Sequence, residues 1–170
     1  FFFKQKTAYE VSPRDWSSGV CSSDLLKAVC LDLAHQIVKD GEGASKFVTV
    51  RVEGAVAHLS AKIVAESIAN SPLIKTAMAA GDANWGRVVM AVGKAFEPVD
   101  TEYLAVWFDD VQVAKDGARA PDYDEAAASA VFAKSEFTIR VDLGVGGMAW
   151  TVWTCDLTHG YVDINGAYRT

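Results

Sequence analysis

Apolar side chains recur at Leu26, Val29, Cys30, Leu33, Ala34, Ile37 and Val38. This i, i+3, i+4, i+7 spacing predicts an amphipathic helix over 26–39, stopped by Gly41. Phe47 to Glu53 then alternates and predicts a strand. Ala61 to Ala69 returns to helical spacing, with Ile63, Val64, Ser67 and Ile68 on one side and Ser60 placed as its N-cap. Asn70-Ser71-Pro72 breaks that run. Ser71 is placed to cap a new short helix, with Pro72 at its first position and Gly81 at its end. A polar junction, Asp82 to Arg87, leads into a further apolar helix through Val88 to Val92.

Beyond Glu97-Pro98 the texture changes. Leu104 to Phe108 and Val111 to Ala114 read as strands around Asp109-Asp110, with a turn at Lys115-Asp116-Gly117. Asp122 or Asp124 is placed to cap an Ala-rich helix reaching Lys134. Phe137 to Asp142 and Met148 to Leu157 alternate, and the Gly144–Gly147 loop between them predicts that they pair antiparallel. A strand follows that glycine loop, so it lacks the helix N-terminus that a phosphate cradle needs. The aromatics and Ile164 in Tyr161 to Thr170 point to a docked tail rather than a frayed one. The pattern predicts helices mixed with strands, an α/β or α+β domain.

The amino end stands apart. Phe1 to Leu25 has no helical or strand period and no secretory-signal layout. Lys4 to Glu10 and Asp15 to Leu25 resemble a sequencing adapter read as protein, with Gly19 the one departure. The segment is therefore expected to be non-native, with the natural sequence resuming near Leu26 in mid-helix and a preceding part missing.

Of the 170 residues, 51% are hydrophobic, enough to bury a core and too many for a disordered chain. The net charge of −6 argues against a nucleic-acid partner, which needs a basic surface. No apolar run approaches the roughly 20 residues of a membrane span. Cys30 and Cys155 have no metal-type spacing and are expected to be small buried hydrophobes in a reducing compartment. Trp150 and Trp153 are expected to fill a core.

Candidate chemistry is sparse. His35, His58 and His159 are scattered, and neither a Ser-His-Asp order nor a Cys-His pair emerges. One stretch invites attention: Asp40-Gly41-Glu42-Gly43-Ala44-Ser45-Lys46 lies between a helix and a strand, and two glycines leave Glu42 uncovered.

Five stretches stand in a telling order: Asp40 to Lys46, Ile68 to Ala77, Asp82 to Arg87, Trp153 to Thr158, and Ile164 to Thr170. Together they resemble the β chain of the ornithine acetyltransferase family, also called glutamate N-acetyltransferases or bifunctional arginine-biosynthesis proteins. The resemblance runs from Leu26 to Thr170. It departs at Ala83, where Pro is common, and at Ser45, where Thr is common.

The resemblance implies an α+β fold of mixed sheets with packed helices, part of an αββα N-terminal-nucleophile-type core plus a C-terminal lobe. Residues 26–44 and 148–170 would belong to the core and 45–147 to the lobe. It implies acetyl transfer from N2-acetylornithine to glutamate through an acetyl-threonine intermediate. That threonine, freed by self-cleavage of the precursor, has no counterpart in this chain. Glu42, Asn165 and Thr170 take the substrate-binding positions. Lys75, Asp82, Asn84 and Arg87 are weaker candidates, for which helix capping and an Asp–Arg pair beside Trp85 are the plainer expectation.

No cofactor is expected, although acetyl-coenzyme A could serve as a second acetyl donor. The implied partners are the small-molecule substrates N-acetylornithine, glutamate and ornithine, and the α chain of the same precursor in a heterotetramer. Neither nucleic acid nor membrane is expected, and the implied location is cytoplasmic. Two alternatives stand beside this reading: an N-terminal-nucleophile amidohydrolase or aminopeptidase that releases the acyl group to water, and a non-catalytic interaction module.

Overall fold

A computed structural model describes residues 22–166, which fall into two compact units divided between Gln36 and Ile37. The adapter-like segment up to Cys21 and the expected site residue Thr170 lie outside the described residues.

Helix α1, Ser22–Lys39, runs four residues further towards the amino end than the apolar stripe predicts. Leu26, Val29, Leu33 and Ile37 on that stripe are exposed, and so is Cys30, against the expectation of a buried thiol.

The second unit is built on one six-stranded sheet of order β4-β3-β2-β5-β1-β6. Its strands are β1 (Phe47–Ala55), β2 (Ala105–Phe108), β3 (Val111–Lys115), β4 (Ala118–Arg119), β5 (Glu136–Asp142) and β6 (Met148–Cys155). β1 runs parallel to β5, and the other four pairings are antiparallel. A mixed, mostly antiparallel sheet with packed helices is the α+β architecture expected above. The two-residue β4 was too short to leave a period.

The expected β5–β6 hairpin does not form, because β1 lies between them. The 143–147 connection instead passes the end of β1, where Leu143 N–H donates to Glu53 O at 3.0 Å and Val145 N–H to Gly54 O at 2.9 Å. Stepping over one strand needs about 10 Å, well within the reach of five residues.

Val48, Val50 and Val52 of β1 are fully buried, while Thr49, Arg51 and Glu53 point to the other face. Phe137, Ile139 and Val141 of β5 continue the buried face. Helices cover that side. α2 (His58–Ala69) packs on β1 and β6 through Ala61, Val64, Ala65 and Ile68, one helical stripe. α3 (Pro72–Ala80) and α4 (Trp85–Gly93) pack on α2, and α5 (Glu125–Phe132) packs against β3. Phe132 anchors α5, its ring 4.6 Å from those of both Phe108 and Phe137. On the open face Glu53 accepts from Arg51 at 3.0 Å and from Arg140 at 3.1 Å, and the Arg140 guanidinium lies 3.9 Å from the Trp107 ring centroid.

The caps follow the pattern in part, for Ser71 stands at the N-cap of α3 without a side-chain capping bond. Pro72 opens α3, and Gly81 closes it in the left-handed region at φ 72°, with Asp82 N–H reaching back to Ala77 O. Asn84 caps α4 by accepting from Arg87 N–H, and Asp124, not Asp122, caps α5 by accepting from Ala126 and Ala127 N–H. Ser60 is not a cap: α2 starts three residues earlier than expected, after Ala57, and Ser60 is buried.

The two tryptophans also depart from expectation. Trp150 stands opposite Val52 on the helix-covered face, but β6 is the sheet edge, so Trp150 stays 41% exposed. Trp153 stands opposite Thr49 on the open face and is half-buried.

Candidate functional site

Helix α6, His159–Gly166, follows β6 after a short link and buries none of its own residues. It is held through its neighbours. Gly43 sits at φ 70°, a conformation that costs a side-chain-bearing residue about 1–2 kcal/mol. A Cβ at Gly43 would lie 2.6 Å from Tyr161 N and 2.7 Å from Gly160 C, so only glycine lets the turn touch the first turn of α6. Thr158 Oγ1 donates to Gly43 O at 2.5 Å and accepts from Gly160 N–H at 3.1 Å, locking the junction from both sides.

That contact brings together the two outer ends of the pattern. Asn165 Nδ2 donates to Glu42 Oε2 at 2.6 Å, across 123 positions of sequence. The same amide also reaches Tyr161 O at 2.9 Å, one helical turn back. Both Glu42 and Asn165 are solvent-exposed, so a carboxylate and an amide stand side by side in the open. A carboxylate holds an ammonium, and an amide donates to a carboxylate. The pair can therefore recognise the two charged ends of an amino acid.

Next to the glycine turn lies Asp156, which is 3% exposed. Its carboxylate accepts from Ser45 N–H at 2.7 Å, Ser45 Oγ at 2.5 Å and Lys46 N–H at 3.0 Å. The pattern did not single out Asp156. Its one signal in the sequence is an acid at the end of an alternating strand.

Lys46 turns inward and donates to Met78 O at 2.7 Å and to Phe132 O, joining the C-terminal ends of α3 and α5. An ammonium there meets the negative ends of two helix dipoles.

Of the weaker candidates, Lys75 lies nearest this region. Its Nζ is 3.3 Å from Thr154 Oγ1 and 3.8 Å from Cys155 Sγ, and its carbonyl accepts from Leu157 N–H at 3.1 Å. Cys155 is half-buried beside Gly41, where an added Cβ would come within 3.1 Å of its sulfur. Asp82 and Asn84 border a cleft of 270 Å³ with Trp85, Arg119, Tyr123 and Glu125. The expected Asp82–Arg87 pair is not formed: the Arg87 guanidinium donates to Leu73 O at 2.6 Å, and Asp82 accepts from Asn84 at 3.3 Å. In that cleft burial and the Glu125 charge raise the Tyr123 phenol above its usual range, with Arg119 opposing them.

A model of the ArgJ family matches residues 19–170. The chain belongs to the ArgJ family. Among curated ArgJ relatives, the arginine biosynthesis bifunctional protein ArgJ of Zymomonas mobilis is 56% identical over 147 residues, 86% of this chain and 36% of that protein. The protein of the same name from Brucella suis is 59% identical over 145 residues, 85% of this chain and 35% of that protein. The chain thus spans about a third of the length of these ArgJ relatives. The crystal structure of the Bacillus halodurans arginine biosynthesis bifunctional protein ArgJ superposes with a TM-score of 0.83 at 35% identity, covering 93% of this chain and 74% of that one.

Proposed function

We propose that this chain is the substrate-holding, C-terminal part of an arginine-biosynthesis acetyltransferase, which moves an acetyl group from N2-acetylornithine to glutamate. The observation that carries the reading is the Glu42–Asn165 contact at 2.6 Å, formed by the two most separated stretches of the resemblance. The names of the relatives, arginine biosynthesis bifunctional proteins, supply the pathway.

In this reading Glu42 takes the substrate ammonium, and Asn165, with Thr170, takes the substrate carboxylate. An ammonium arriving at Glu42 replaces the Asn165 amide as its donor and frees that amide for the carboxylate. The acetyl group passes to a threonine hydroxyl that lies outside this chain, ornithine leaves with the proton taken from that hydroxyl, and the glutamate amine then collects the acetyl group. Residues 26–44 and 148–170 border the part that carries the threonine, and 45–147 form the lobe behind them. The α chain of the same precursor is the proposed partner, in a heterotetramer, and acetyl-coenzyme A the proposed second donor.

The test is a chimera in which residues 26–170 replace the matching third of the Zymomonas mobilis ArgJ protein. Transfer of a labelled acetyl group from N2-acetylornithine to glutamate, lost in Glu42→Ala, supports the reading. Release of the label as acetate moves the chain to the hydrolase alternative. Transfer unaffected by Glu42→Ala removes Glu42 from the site.

A further inference from the structure

Glu42 and Asn165 are exposed side chains on a glycine turn and on a helix without a buried face, so something else must fix their separation. The turn alone cannot, since Gly41 and Gly43 loosen its backbone. The segment at the end of β6 can. Asp156 takes three hydrogen bonds from Ser45 and Lys46, and two residues later Thr158 ties down Gly43 O. Three residues after Asp156 begins the helix that carries Asn165. One short stretch of chain therefore orients both members of the pair.

We propose that Asp156 is a positioning residue for the site: through Ser45 and Lys46 it sets where the Glu42 carboxylate stands relative to Asn165. The claim rests on the functional reading above only as far as Glu42 and Asn165 hold substrate. Asp156 itself touches no substrate, being buried beneath the turn. Buried acceptors of this kind are strong when the acid is charged, and their loss leaves donors unpaired.

The chemistry distinguishes two substitutions. In Asp156→Asn, Oδ1 still accepts from both backbone N–H groups, and the new Nδ2 donates to a rotated Ser45 hydroxyl. In Asp156→Ala all three bonds go. A positioning role therefore predicts rescue by Asn and failure with Ala.

The test uses the 170-residue chain in solution NMR. Amide exchange is followed at Ser45, Lys46 and Val50, together with the contact between the Asn165 side-chain amide and the Glu42 methylenes. In Asp156→Ala, exchange at Ser45 and Lys46 should speed up at least about tenfold and the Asn165–Glu42 contact should vanish, while Val50 changes less than about threefold. Asp156→Asn should keep the contact. Should Asp156→Ala not fold, Ser45→Ala, which removes one bond of the three, should weaken the contact without moving Val50.

A contact that survives in Asp156→Ala or stays at full strength in Ser45→Ala, is absent from the unaltered chain, or fails together with Val50 protection overturns the proposal. A second arm uses the chimera, where Asp156→Ala should raise the acetylornithine KM about tenfold with kcat changed less than about threefold, a loss of about 1.4 kcal/mol. A fall in kcat alone overturns the proposal as well. An unaltered chimera that transfers no acetyl group contradicts the functional reading instead, leaving the NMR arm to decide the positioning claim.

Discussion

Gly43→Ala puts two energies in direct competition. The alanine must adopt φ 70°, at a cost of about 1–2 kcal/mol. Its Cβ would also stand 2.6 Å from Tyr161 N and 2.7 Å from Gly160 C. The neighbours must shift to admit it, and such overpacking adds about 1–3 kcal/mol. The strain is therefore about 2–5 kcal/mol, the sum of those two ranges. Against it stands whatever holds α6 in place. No residue of α6 is buried, so among the described residues the holding rests on the Thr158–Gly43 and Asn165–Glu42 bonds. A neutral bond contributes about 0.5–1.5 kcal/mol and one to a charged group about 1.5–3, less where solvent reaches it. The two sides are comparable, so α6 should swing away while the sheet stays folded. Urea unfolding of Gly43→Ala should show a loss of no more than about 4.5 kcal/mol, the upper sum of the two bonds. NMR should show the Asn165 side-chain amide released from Glu42. A larger loss accompanied by faster exchange at Val50 and Ile139, or an Asn165 contact that persists, refutes this reasoning.

Three further outcomes are expected. Phe132→Ala removes a ring wedged between Phe108 and Phe137 and should cost about 3–5 kcal/mol in urea unfolding; a loss below about 1 kcal/mol would mean that α5 is not anchored there. Lys46→Met strips the ammonium from Met78 O and Phe132 O and should cost about 1–3 kcal/mol, again by urea unfolding, whereas a change within about 0.5 kcal/mol would deny it a role at the two helix ends. Tyr123 ionises at higher pH in the folded chain than an ordinary tyrosine does, because burial and then the Glu125 charge disfavour the phenolate. Its stabilising contribution is complete below pH 10 and is lost as pH rises from there through the folded pKa, because the unfolded chain gives up the proton first. Tyr123→Phe should therefore flatten the decline in melting temperature above about pH 10, and an identical decline in both proteins would contradict this.

Local pattern carried most of the elements, because α2 to α5 each bury one stripe and β1 and β5 each bury one face. It failed where the deciding partner is distant. Gly144 to Gly147 looked like a hairpin return because such loops commonly are one. Nothing local to β5 or β6 reveals that Glu53 and Gly54, some ninety positions earlier, would take the loop's amides. Trp150 read as core because its register is a core register, and only its place on an edge strand leaves it exposed. Ser60 read as a cap because serine so often is one, but the end of β1 at Ala55 starts α2 earlier.

The site was legible in a different way. Glu42 and Asn165 were marked by resemblance, and the contact between them is a fact of folding that no spacing along the chain could reveal. Asp156 was missed because its three donors precede it by more than a hundred positions.

The central claim is that Glu42 and Asn165 act as one unit on an amino-acid substrate. A double-mutant cycle on kcat/KM for acetyl transfer, in the chimera with Glu42→Gln, Asn165→Ala and both together, tests it most directly. The account predicts that each single change costs about 10- to 100-fold, and that the double change costs little more than the worse single one, a coupling of about 1–3 kcal/mol. Strictly additive losses, or single changes that leave kcat/KM intact, would contradict it.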